Sequence, residues 1–256
     1  MVIEPPFNEN SPLQYRRKSA IIADRKGGDG MFRYETHLHT FPVSRCGKVS
    51  VEENLKFYKE KGYDGVFITN HFLDGNINFD KTLPYEEGIE FYFSDYEKAL
   101  ELGKEIGIKV FLGVELAYGG SDFLIYGLEK EWYLRHPEIM EMKKSEELRL
   151  MMDEGALVIH AHPFREAKRI DHIRLYPRCV HGVEIINACR SEEENEMARL
   201  FAEHYGLLSF AGSDNHFGKE QPLLAGLEFE TPLQNEADFV RRVKNNEMKL
   251  FTQENA

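Results

Sequence analysis

Six short polar clusters punctuate this chain, each closing an apolar run and each holding a side chain able to bind a metal ion. They are Thr36-His37-Leu38-His39-Thr40, Thr69-Asn70-His71, Gly113-Val114-Glu115, His160-Ala161-His162-Pro163, Gly182-Val183-Glu184 and Gly212-Ser213-Asp214-Asn215-His216. All but one lead clearly out of strand-like runs rich in β-branched or aromatic residues. Recurrence at strand ends narrows the folds available. A barrel gathers the ends of its strands at one mouth, so ligands scattered along the sequence become neighbours in space.

Spacing within the clusters carries the chemistry. His37 and His39 lie two apart, and in a strand such residues face the same side. The same logic applies to His160 with His162 and to Asp214 with His216. His71 ends one strand. Glu115 ends the next, Val110-Phe111-Leu112-Gly113-Val114, where a carboxylate is costly unless it is paired or metal-bound. Mixed nitrogen and oxygen donors suit zinc, manganese or iron. Cys46, Cys179 and Cys189 form no metal-site spacing, which argues against a closed structural zinc site and leaves Cys46 incidental.

The rest of the chain alternates in a βα rhythm after Gly30. Strands are expected at Phe32 to His37, Gly65 to Thr69, Lys109 to Leu116, Phe123 to Leu128, Ala156 to His160, Val183 to Ile186, Leu207 to Ala211 and Leu227 to Thr231, with Lys249 to Thr252 pairing back. Helices are expected from Val51, capped by Ser50 with Glu53, from Ser94 to Ile106, from Glu138 to Glu154, from Ser191, and from Glu236 to Asn245. Short continuous strands between helices indicate a parallel sheet covered outside. Residues 1–30, broken by Pro5-Pro6, Pro12 and Gly27-Gly28-Asp29-Gly30, read as a wrapping arm. Residues 31–256 read as one barrel domain.

The formal charge of −12 argues against a broad nucleic-acid footprint, which needs a basic face. It leaves an anionic substrate open, because bound divalent cations reverse the local potential of a cleft. No apolar run reaches ~18 residues, so no membrane span is expected. Sparse cysteines and the lack of a signal-like N-terminus fit a cytoplasmic protein.

The ordered set His37-Leu38-His39-Thr40, Thr69-Asn70-His71, Gly113-Val114-Glu115, Ala161-His162-Pro163 and Gly212-Ser213-Asp214-Asn215-His216 resembles the PHP (polymerase and histidinol phosphatase) family, over roughly residues 32–217. The resemblance implies a distorted (β/α)7 TIM-like barrel with two or three divalent metals (zinc, manganese or iron) at the strand C-termini. It implies hydrolysis of a small phosphorylated metabolite by a metal-activated hydroxide, the substrate being histidinol phosphate, a nucleotide or another phosphomonoester. Carried over, His37, His39, Glu115 and Asp214 would hold one metal. Glu115 would bridge to a second, also bound by His162, and His71 and His216 would contribute to another position. The chain departs from the family at three places. It has Ser44-Arg45-Cys46-Gly47 where some members have a further His, Asp122 to Gly127 on the strand where another family His lies, and Asn70 for a common Asp.

Several roles remain open at this level. Asp214 or His216 would deprotonate the water or protonate the leaving oxygen. Arg165, Arg45 and Arg190 are candidate phosphate clamps, since a guanidinium meets two phosphate oxygens at once. Glu184 reads as a support for the ligands, Asn187 as able to orient water or substrate, and His160 as either a substitute ligand or a core residue. His136, His172, His181 and His204 read as surface histidines. Two other classes compete with phosphoester hydrolysis: an amidohydrolase acting on C–N bonds, and a metal-binding module without turnover.

Overall fold

The computed structural model describes residues 30–255; the expected arm, Gly30 apart, lies outside the described residues. Among the described residues nine strands form one mixed sheet that curls into a nearly closed barrel, flanked by helices. In chain order the elements are β1 (Phe32–Leu38), α1 (Val51–Glu60), β2 (Gly65–Ile68), α2 (Tyr85–Ile106), β3 (Lys109–Tyr118), β4 (Ser121–Tyr126), α3 (Lys130–Arg135), α4 (Lys144–Asp153), β5 (Leu157–Ala161), β6 (Gly182–Asn187), α5 (Glu192–Tyr205), β7 (Leu208–Gly212), β8 (Leu223–Phe229), α6 (Glu236–Lys244) and β9 (Lys249–Glu254). The sheet order is β7-β6-β5-β4-β3-β2-β1-β8-β9. The barrel closes where Leu38 of β1 bridges Asn215, just past β7, with β8 and β9 lying beyond β1. Asn215 N–H donates to His37 O at 3.2 Å, and His39 N–H to Asn215 O at 3.1 Å.

The expected all-parallel sheet does not form. β4 runs antiparallel to both β3 and β5, and β8 and β9 are antiparallel additions beside β1. The reason lies in the connection. Tyr118 pairs with Ser121, so only Gly119 and Gly120 join β3 to β4, both with positive φ. A two-residue turn of that kind makes a hairpin, whereas parallel neighbours need a crossover of a dozen or more residues. Reversal of β4 puts its first residues, not its last, at the mouth.

The capping boxes at Ser50–Glu53 and Ser191–Glu194 form as the sequence indicates. The cap at Ser94 does not. α2 begins nine residues earlier, after Pro84, and the Ser94 hydroxyl instead donates to Phe91 O at 2.7 Å within the helix. The stretch expected as one helix from Glu138 is a 3-10 turn, Pro137–Met140, followed by α4.

The barrel floor is aromatic. Tyr34, Phe67, Phe111, Tyr126, Phe210 and Phe229 point inward from the strands, and Phe239 of α6 plugs them from below. Phe239 lies 4.3 Å from the Phe67 ring and 5.1 Å from the Tyr126 ring. Burying a ring of this size stabilises by about 1.5–3 kcal/mol. Above this plug the interior turns polar, and there the mouth begins. Among the described residues no helix is long and apolar enough to cross a membrane.

Candidate metal centre

β1 delivers the first pair of histidines through a change of parity. Tyr34 belongs to the inner cluster, yet Leu38, an even position too, packs outside against Val51, Leu55 and Val66 of α1 and β2. The β1–β2 register shifts between Glu35 and Leu38, and bulges of this kind re-aim side chains beside functional sites. His37 and His39 therefore face the interior. Glu35 pins the irregularity: one carboxylate oxygen accepts from His37 N at 2.8 Å and from Ser213 N at 2.9 Å. Burial raises the Glu35 carboxyl above its usual range, against these hydrogen bonds.

The two imidazoles meet two carboxylates. His37 Nε2 and His39 Nε2 lie 3.3 Å apart. The first stands 3.2 Å from Glu115 Oε1 and 3.5 Å from Asp214 Oδ1; the second stands 3.4 Å from Glu115 Oε2 and 3.3 Å from Asp214 Oδ1. Nitrogen and oxygen ligands bound tetrahedrally to one zinc ion at about 2.1 Å sit about 3.4 Å from each other. The spacing fits a shared cation. So does the orientation of the rings. His37 Nδ1 is 3.0 Å from Glu184 Oε1, and His39 Nδ1 is 3.2 Å from Ser44 Oγ. A proton held on each Nδ1 leaves both Nε2 lone pairs turned toward the centre.

Glu115 is the hub. It is fully buried, and neither of its oxygens accepts a hydrogen bond among the described residues. A buried carboxylate is costly unless paired, and here its partners are imidazoles, with which it could share a cation. His71 Nδ1 lies 2.6 Å from Oε2, and His162 Nε2 lies 3.5 Å from Oε1. His162 also stands 3.8 Å from Asp214 Oδ2 and 3.7 Å from Asp122 Oδ2. Among the described residues five overlapping groups could hold a metal ion: His37, His39 and Glu115; His37, His162 and Asp214; Glu115, Asp122 and His162; His39, Cys46, His71 and His216; and Cys189, Asp214 and His216.

Two ligand-capable residues sit on left-handed backbone: His162 at φ 26° and Asp214 at φ 52°. Non-glycine residues there are strained, and such strain collects at functional sites. The same twist explains a failed expectation. His160 does not share a face with His162, because β5 ends at Ala161 and the backbone turns at His162. The His160 ring lies in the outer layer, stacked on Phe123 at 4.7 Å, and neither of its nitrogens has a hydrogen-bond partner among the described residues. It belongs to none of the five groups. Burial, with the charge of His162, pushes it down to about 3.

Electrostatics separate the ligand-capable groups. Burial acts against the charge on His37, but Glu184, Asp214 and Glu115 outweigh it and raise its pKa well above the usual value. Asp214 and Glu115 fall well below the carboxylate range despite burial, held there by the surrounding imidazoles. His39 is pushed down to about 3 by burial and by the positive charge of His216. His216 rises to about 10 against burial, chiefly through Asp214.

The cleft above the centre encloses about 650 Å³. Arg165, Arg169 and Arg190 line it with the metal-type side chains. Arg165 is held by Asp122 at 2.8 Å, and Arg190 reaches to 4.0 Å from Asp214 Oδ2. Arg45 is exposed and does not line the cleft. Glu184 supports, as expected, accepting from His162 N at 3.1 Å and from Asn187 Nδ2 at 2.8 Å. His136 and His181 are occupied elsewhere, by Glu138 and by Val158 N.

The sequence reading missed Asp122, Arg169 and Glu35 and dismissed Cys46. Asp122 reaches the mouth because β4 is reversed, which Tyr118-Gly119-Gly120-Ser121 signals as a hairpin turn. Cys46 returns to the centre through a tight turn in which Gly47 passes so close to Thr40 that a Cβ would stand 2.9 Å from its carbonyl carbon. Burial alone would raise the Cys46 thiol, but His216 and His71 bring it down to about 6.

No family model and no curated protein matches this chain. Solved structures share its fold. One is a two-domain protein from Bacteroides vulgatus ATCC 8482, described as containing a predicted PHP-like metal-dependent phosphoesterase. It is 16% identical with a TM-score of 0.59, over 92% of this chain and 68% of that one. Another is PsfC from Pseudomonas syringae PB-5123, also 16% identical, with a TM-score of 0.56 over 87% of this chain and 91% of that one. Likeness at this level of identity concerns the fold alone.

Proposed function

We propose that this protein is a metal-dependent phosphoesterase of the PHP type, acting on a small phosphorylated metabolite. The observation that carries the reading is Glu115: a fully buried carboxylate without hydrogen bonds, ringed by His37, His39, His71 and His162 at distances from 2.6 to 3.5 Å. In this reading β1 to β7 make the distorted seven-stranded barrel, and two or three zinc, manganese or iron ions occupy its mouth. His37, His39, Glu115 and Asp214 hold one ion. Glu115 and His162, joined by Asp122, would hold a second, and His71 and His216 would contribute to another. Such ions lower the pKa of a bound water from 15.7 to about 7 and offset the charge of a phosphate.

The chain's own residues supply the rest. Arg165 and Arg190 flank the cleft where a phosphate would lie, and Arg169 stands at its rim. The ion pair with Asp122 fixes the Arg165 guanidinium in advance, so less side-chain freedom is lost on binding. Asp214 and His216 are within reach of the same space and serve as base toward the water or acid toward the leaving oxygen. The fold likeness to the Bacteroides protein, whose description names a phosphoesterase, agrees with this reading.

The test is direct. Metal-stripped protein refilled with Mn²⁺ or Zn²⁺ hydrolyses p-nitrophenyl phosphate, and His37→Ala and Asp214→Ala reduce the rate to background. Equal rates in the variants, or hydrolysis of a cyclic amide in place of the phosphate, would overturn the reading. A panel of phosphorylated metabolites, histidinol phosphate and nucleotides among them, then identifies the leaving group.

A further inference from the structure

We propose that Cys46 binds as a thiolate, joining His71 and His216 in holding one ion at the rim of the centre; this rests on the reading that the mouth holds metal. His39, Cys46, His71 and His216 each bring a donor atom within 4.8 Å of the others. The Nε2 of His39 faces Glu115 and Asp214 and His39 does not line the cleft, whereas Cys46, His71 and His216 do.

The backbone fixes these three residues relative to one another. Ser44, two residues before Cys46, accepts the His71 N–H on its hydroxyl at 3.0 Å. Lys48, two residues after it, donates its N–H to His216 O at 2.8 Å. Arg45 N–H donates to Asn76 O at 2.9 Å, tying the turn to the loop after His71. The cysteine is thus presented between the two histidines by a braced turn. Glu115 Oε2 stands 2.6 Å from His71 Nδ1 on the inner side. Cys189 is different: its Sγ donates to Asp214 O at 3.2 Å and accepts from Gln221 Nε2 at 3.1 Å, and it groups with Asp214 and His216 but with neither Cys46 nor His71.

A thiolate changes which ion the position takes. Soft sulfur favours zinc, cobalt and iron, whereas manganese and magnesium prefer oxygen. The rim is therefore selective while the inner, nitrogen-and-carboxylate positions are not.

Titration of the metal-stripped full chain with Co²⁺ tests this without any turnover. The expected result is an intense near-ultraviolet sulfur-to-cobalt charge-transfer band that saturates with the metal. Cys46→Ser removes the band and lowers bound cobalt by about one ion per chain. Cys46→His keeps the cobalt and loses the band, which separates ligation from folding, and Cys189→Ser leaves the band unchanged. Cobalt bound without a band, or a band that survives Cys46→Ser, overturns the proposal alone. A chain that binds no cobalt overturns it together with the reading of the mouth.

Discussion

Two clefts of nearly equal size open at opposite ends of this barrel, and they are chemically unlike. The one at the floor, about 640 Å³, is lined by Tyr34, Lys59, Asp64, Lys109 and Glu236 among others. Its polar groups are satisfied. Asp64 accepts from Arg33 N at 2.8 Å, Lys109 donates to Leu233 O at 2.5 Å, Lys59 to Gly107 O at 2.5 Å, and Glu236 accepts from Leu112 N at 3.0 Å. The one at the mouth, about 650 Å³, holds the reverse: the buried carboxylates of Glu115 and Asp214 crowd against His37, His39, His71 and His162, no hydrogen bond reaches either Glu115 oxygen among the described residues, and the backbone is strained at His162 and Asp214. Size does not locate function here. Buried polarity that the protein alone leaves incomplete does.

The contrast breaks most easily at Glu115. Glu115→Gln keeps the shape but removes the charge, and it should bring phosphate hydrolysis to background along with the loss of bound metal. Lys59→Met at the floor should leave both unchanged. Similar losses from the two substitutions, measured by turnover and metal analysis, would erase the distinction.

The next effect is on stability and belongs to the floor. Phe239→Ala opens a cavity among Phe67, Tyr126 and Phe210 and should cost about 3–5 kcal/mol in denaturant unfolding. Metal bound per folded chain should not change. A drop in metal content would mean that plug and mouth are one unit.

Much of this layout could be read from the sequence, for physical reasons. Period-two spacing found His37 and His39, and polar ends on apolar runs found His71, Glu115, His162 and Asp214, all of which the structure brings together. What escaped depended on backbone direction. The same parity rule misjudged His160, because one left-handed residue at His162 reverses it. It held for His37 and His39, but their shared face is turned inward by a bulge anchored by Glu35, a residue that spacing alone does not single out. Asp122 required seeing that Gly119-Gly120 reverses the strand. Cys46 and Arg169 reach the cleft through loops, whose course no periodicity encodes.

A smaller effect sharpens the boundary between ligand and support. Glu184→Gln keeps a hydrogen bond to His37 but removes the charge that holds the imidazole, and it should weaken metal binding about 10–100-fold. An unchanged affinity in competition with a chelator would reduce Glu184 to packing.

The smallest concerns His160, the outward counterpart of His162. Its folded pKa, pushed down to about 3 by burial, lies below the ordinary 6.5. As pH falls from 6.5 toward 3 the unfolded chain takes a proton that the folded chain refuses, so stability declines through that window. His160→Leu should change stability by no more than about 1 kcal/mol at pH 8, and should make the decline between pH 6.5 and 3 shallower. An unchanged acid slope in thermal melts would place the acid sensitivity elsewhere.

If cations gather at the mouth of this barrel, anomalous diffraction from crystals grown with Zn²⁺ or Mn²⁺ will reveal them. Strong peaks are expected within bonding distance of His39, Glu115 and Asp214. A mouth free of anomalous density, with these side chains hydrogen-bonded only to water and to each other, would contradict that expectation.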